Sequence, residues 1–91
     1  MEAPVSFNIW ISGMVQGVGF RYAAYREAVC RGIRGFVRNE SDGDVYMEVE
    51  GAPEAVSQFI TWCKKGPRSK GVKEIKTEIR PIRGFEKFEI Q

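Results

Sequence analysis

VSFNIWISGMVQGVGFRYAAYREAVCRGIRGFVRN, residues 5–39, reads as a strand, a glycine-rich loop, a helix and a second strand in unbroken succession. Residues 5–12 set Val5, Phe7, Ile9 and Ile11 on one face at period two, with Trp10 on the other, the pattern of a half-buried strand. A loop with glycines at 13, 17 and 19 follows. Residues 20–31 contain neither Gly nor Pro, include the good helix formers Ala23, Ala24 and Ala28, and are stopped by Gly32. Ile33 to Arg38 reads as a second strand ending at Asn39.

Working outward, Ser41-Asp42-Gly43 is a turn, and Val45, Met47 and Val49 alternate with Tyr46, Glu48 and Glu50, so the second and third strands form a hairpin. Pro53 and Glu54 suit the first turn of a second helix, which carries Val56, Phe59, Ile60 and Cys63 at helical spacing and stops at Gly66-Pro67. Residues 72–80 form a further strand with Ile75, Thr77 and Ile79 on one face, and Phe88 and Ile90 mark a short final edge strand. The order is β-α-β-β-α-β plus a terminal strand: an α+β, ferredoxin-like two-layer sandwich with two helices on one face of an antiparallel sheet. One domain is expected over residues 1–91, its core over about 5–91. This topology hosts many functions and selects none.

Composition narrows the chemistry. There is no histidine, which excludes Ser-His or Cys-His pairs and His-ligated metals. A formal charge of +2, from 14 basic and 12 acidic residues, does not argue for nucleic acid. The N-terminus does not resemble a secretory signal, no apolar stretch is long enough to span a membrane, and a cytoplasmic location is expected. Cys30 and Cys63 form no C-x-x-C pair and are expected to be reduced, buried thiols. No cofactor and no metal are expected.

In Val15-Gln-Gly-Val-Gly-Phe-Arg21 a strand ends, glycines follow and a helix starts at once. The backbone N–H groups of Gln16, Gly17, Val18, Gly19 and Phe20, with the helix start, are candidates for an anion cradle. Arg21 adds a planar fork suited to phosphate oxygens. The plainer reading is a tight turn with a solvent-facing arginine. Neither a Walker loop nor a dinucleotide loop fits, since Tyr22 stands where the latter needs glycine. A right-handed crossover makes the first and second strands run the same way, so the loop and Asn39 border one sheet edge. Asn39 read by itself is also a common turn residue.

VQGVGFR at 15–21 resembles the signature loop of the acylphosphatase family. VRN at 37–39, Asp42-Gly43, Glu50-Gly51, Gly66-Pro67 and Phe85-x-x-Phe88-x-Ile90 resemble the rest of that pattern in order and spacing, over about residues 7–90. Met14 departs from the Arg, Lys or Val common there, and Ser12 and Glu40-Ser41 from the commonest choices, none of them at a catalytic position. The resemblance implies cofactor-free hydrolysis of acyl phosphates by a ferredoxin-like sandwich, with Arg21 holding the phosphoryl group and Asn39 positioning water. Inorganic phosphate or sulfate would then compete for the site. A monomer is expected, with no nucleic-acid or membrane partner. One alternative is a carbamoyl-phosphate-handling domain like that of hydrogenase-maturation carbamoyltransferases, against which the lack of a following zinc-finger segment weighs. The other is an RNA-binding ferredoxin-like module, against which Glu48 and Glu50 beside Tyr46 weigh.

Overall fold

The computed structural model describes residues 2–17, 19–66 and 71–91. Among the described residues, five strands, β1 (Val5–Gly13), β2 (Arg34–Asn39), β3 (Val45–Gly51), β4 (Val72–Arg80) and β5 (Phe88–Ile90), are joined with two helices, α1 (Phe20–Cys30) and α2 (Pro53–Lys65). The sheet order is β4-β1-β3-β2-β5. β1 pairs antiparallel with β3 and β4, and β2 antiparallel with β3. The expected sandwich is present, but its sheet is mixed: β5 lies parallel to β2. The reason is the path of the chain. β4 occupies one edge and β5 the other, so residues 81–87 must carry the chain across the sheet before it runs back alongside β2. As a result β1, β2 and β5 all point the same way and end at one edge of the sheet.

Both helices cover the same face, α1 chiefly over β2 and β5, α2 over β4, β3 and β1. The alternating residues Ile9, Ile11, Val45, Met47 and Val49 meet them there, all fully buried. α1 contributes Phe20, Ala24 and Ala28 at fourfold spacing, and the two alanines let the helix axis approach the sheet closely. It ends in a Schellman motif: Gly32 adopts φ 70°, its N–H reaches the Val29 carbonyl at 3.1 Å, and the Ile33 N–H reaches that of Ala28 at 2.9 Å. α2 starts at Pro53, carries Glu54 in its first turn and Lys64 and Lys65 in its last, in agreement with its dipole. Its stop at Gly66 lies within the described residues and Pro67 outside them. Phe59 is fully buried, and truncating a core Phe to Ala costs about 3–5 kcal/mol.

The second face of the sheet is not open along β3, where every residue from Val45 to Gly51 is buried. Glu50 explains how. Its carboxylate is fully buried and accepts the backbone N–H groups of Arg83, Gly84 and Phe85, the latter two at 3.1 Å, pinning the crossing segment over that face. Beside it Phe36 meets Phe85 edge-on, and Glu48 takes Arg83 at 3.3 Å. The thiols divide. Cys63 is buried on the α2 core stripe, whereas Cys30 is exposed, against expectation, because it sits about 200° around α1 from Ala28. Both are unbonded. No described helix is long and apolar enough to cross a membrane.

Candidate active site

The common end of β1, β2 and β5 assembles the candidate site. β1 delivers the glycine loop. Val15, 2% exposed, fastens that loop to the core, and the Met14 N–H donates to the Gly71 carbonyl at 2.7 Å. Gly17 and Gly19 adopt φ of 76° and 80° with nothing within 4 Å of where a Cβ would stand. The requirement for glycine is therefore the left-handed backbone, not crowding. Gly19 is the N-cap residue of α1, and its carbonyl accepts the first bond of the helix, from the Ala23 N–H at 3.0 Å. Among the described residues no side chain caps this helix start, and its first turn holds no acid. The N–H groups of the first turn and the positive end of the dipole therefore lie at the lining of the site.

That space is a cavity of about 220 Å³ lined by Val15, Gly17, Gly19, Phe20, Arg21, Tyr22, Asn39 and Ile90. The two side chains singled out from sequence, on separate elements, share its lining. Arg21 is half-buried at the start of α1, and its Nη1 donates to the Gln91 carbonyl at 2.6 Å. Asn39 is exposed as the last residue of β2, opposite Val45. Its side chain makes no hydrogen bond to protein among the described residues and stays available. Gly17, Gly19 and Phe20 line the cavity, Gln16 precedes it, and Val18 lies outside the described residues.

Two features escaped the sequence reading. One is the Gln91 carbonyl, which β5 brings to Arg21; its only signal was the direction of a three-residue strand. The other is the Gln16 side chain, whose Nε2 donates to the Glu40 and Asp44 carbonyls, both at 2.8 Å. Among the described residues no group of three or more His, Cys, Asp or Glu side chains could hold a metal. The aromatic pair on the far face, Trp10 and Tyr46, offers no open stacking platform. Tyr46 is 7% exposed, with the Arg38 guanidinium 4.9 Å above its ring and its hydroxyl donating to Glu48 at 2.6 Å.

Comparison with known proteins agrees with this geometry. The acylphosphatase family profile matches residues 7–90. An acylphosphatase of Aeropyrum pernix is 43% identical over 92 aligned residues, covering 99% of this chain and 91% of the relative. The crystal structure of the Bacillus subtilis acylphosphatase superposes with a TM-score of 0.90 at 38% identity, covering 96% and 98% of the two chains. Full-length HypF, crystallised in a phosphate- and nucleotide-bound form, matches at 32% identity and TM-score 0.91, all of this chain corresponding to 12% of that one.

Proposed function

The chain belongs to the acylphosphatase family and is a hydrolase of acyl phosphates, and from that premise we propose a division of labour at its site. Arg21 and the loop amides from Gln16 to Phe20 hold the phosphoryl group, and Asn39 positions the attacking water. What supports this most is that Arg21 and Asn39 line one cavity together with the start of α1, whose N-cap is the glycine Gly19.

The reaction asks little of the protein. The leaving group is a carboxylate with a pKa of about 4, so it departs unprotonated at pH 7 and needs no general acid. Phosphoryl transfer through a loose transition state forms little bonding to the nucleophile, so water loses its proton late, to a phosphoryl oxygen. Positioning and stabilisation of charge on the equatorial oxygens remain. Each charge-assisted hydrogen bond from Arg21 or the loop is worth roughly 1.5–3 kcal/mol. Arg21 meets its ligand already oriented, because the Gln91 carbonyl holds one terminal nitrogen. Asn39 offers an acceptor and two donors, enough to hold a water and a phosphate oxygen together. In this reading the protein is a cytoplasmic monomer acting on a small-molecule acyl phosphate.

The test is hydrolysis of benzoyl phosphate, followed by absorbance, with p-nitrophenyl phosphate as control and with and without excess EDTA. Benzoyl phosphate is cleaved at the same rate with chelator and the phenyl ester is spared, while inorganic phosphate and sulfate compete. Activity lost to chelation and restored by Mg²⁺ would contradict the proposal.

A further inference from the structure

The two proposed working side chains sit on separate chain segments, Arg21 after the glycine loop and Asn39 before the turn at residues 40–44. Among the described residues, the Gln16 side chain bridges those segments. Gln16 Nε2 spends both of its hydrogens on the turn, donating to the Glu40 and Asp44 carbonyls at 2.8 Å each. Those are the carbonyls that frame the turn, since Glu40 and Asp44 are also joined by Glu40 N–H to Asp44 C=O at 2.8 Å. Glu40 follows Asn39 directly. We infer that Gln16 is a positioning residue, one that holds Asn39 in register with the phosphate cradle through its side-chain amide. The inference rests on the water-positioning reading of Asn39.

The direction of the effect follows from how each side is anchored. The loop keeps its place without this bridge, through buried Val15 and the Met14 hydrogen bond to Gly71. The turn has exposed residues at Ser41 and Asp42, and Gln16 is its tie to the loop. Both carbonyls retain a backbone partner when Gln16 is removed, from Gly43 and Glu40, so neither is orphaned and the fold survives. What is lost is the register of Asn39, and small misplacements of a positioning group are costly in rate.

Gln16→Ala, and Gln16→Met as a variant that keeps the length of the side chain without its donors, are each combined with Asn39→Ala in a double-mutant cycle on benzoyl phosphate. Each single change at Gln16 is expected to lower kcat about tenfold or more while the inhibition constant for inorganic phosphate stays within about threefold. In the Asn39→Ala background the same changes alter kcat by less than about twofold, because there is no longer a group to position. An additive cycle, or a phosphate constant that rises in step with the loss of kcat, overturns the inference and leaves Gln16 a structural part of the cradle. Near-normal kcat in Asn39→Ala alone overturns the underlying reading as well, so the two failures are distinguishable.

Discussion

Replacing Glu50 by glutamine keeps the shape of the side chain and takes away one acceptor. In the native fold Oε1 receives the N–H groups of Gly84 and Phe85 at 3.1 Å and Oε2 receives that of Arg83. An amide has one oxygen. Its best orientation keeps that oxygen on Gly84 and Phe85 and turns its NH₂ toward the Arg83 N–H, a donor facing a donor. One charge-assisted bond worth roughly 1.5–3 kcal/mol is lost, and the two survivors fall to about half their strength as neutral bonds. A neutral amide is cheaper to bury than a carboxylate, which returns part of this. The net expectation is a loss of about 2 kcal/mol. A chain of this size has roughly 5–14 kcal/mol in total. Urea unfolding followed by tryptophan fluorescence measures it, with an unchanged slope and a melting temperature lower by about 8–16 °C. A loss under about 0.5 kcal/mol would refute the claim that Glu50 fastens the crossing segment.

Two further outcomes follow from the burial of particular groups. In the folded protein a thiol reagent should modify Cys30 at once and reach Cys63 only in denaturant, since burial, aided by the charge of Glu27, pushes the Cys63 thiol well up; two fast thiols in the native state would contradict this packing. Tyr46 is pushed up to about 12 by burial and by its bond to the Glu48 carboxylate, with Arg38 and Arg80 opposing. The folded chain therefore keeps a proton that the unfolded chain releases near pH 10. This contribution is fully present below pH 10 and is lost as pH rises to 12, so Tyr46→Phe should flatten the fall in stability across that window, and an identical fall in both proteins would count against it.

Local pattern made much of this molecule legible. Alternation in residues 5–12, the helix stop at Gly32 and the Pro53-Glu54 start are all signals carried by near neighbours. Placing Asn39 at the glycine-loop edge needed only that a strand–helix–strand crossover returns the chain in the same direction. What stayed hidden depends on pairs distant in sequence. Glu50 alternates like a solvent-facing strand residue, and its role becomes visible only once residues 83–85 cross the sheet above it. Cys30 is set by the rotation of α1, for which a helix rich in alanine gives a weak periodic signal. The Gln91 carbonyl reaches Arg21 because β5 runs parallel to β2, a direction that three residues do not encode by themselves.

The central claim is that Arg21 binds phosphate throughout the reaction while Asn39 acts on the attacking water. The measurement is kcat for benzoyl phosphate together with the inhibition constant of inorganic phosphate, in Arg21→Ala and Asn39→Ala, after a thermal melt has shown both variants folded. Arg21→Ala should weaken phosphate inhibition and cut turnover together. Asn39→Ala should leave phosphate inhibition within a few fold while lowering kcat by about 10² or more, the pattern of a contact made only on the way to the transition state. Near-normal kcat in Asn39→Ala would contradict the account and return Asn39 to a turn residue at the end of β2.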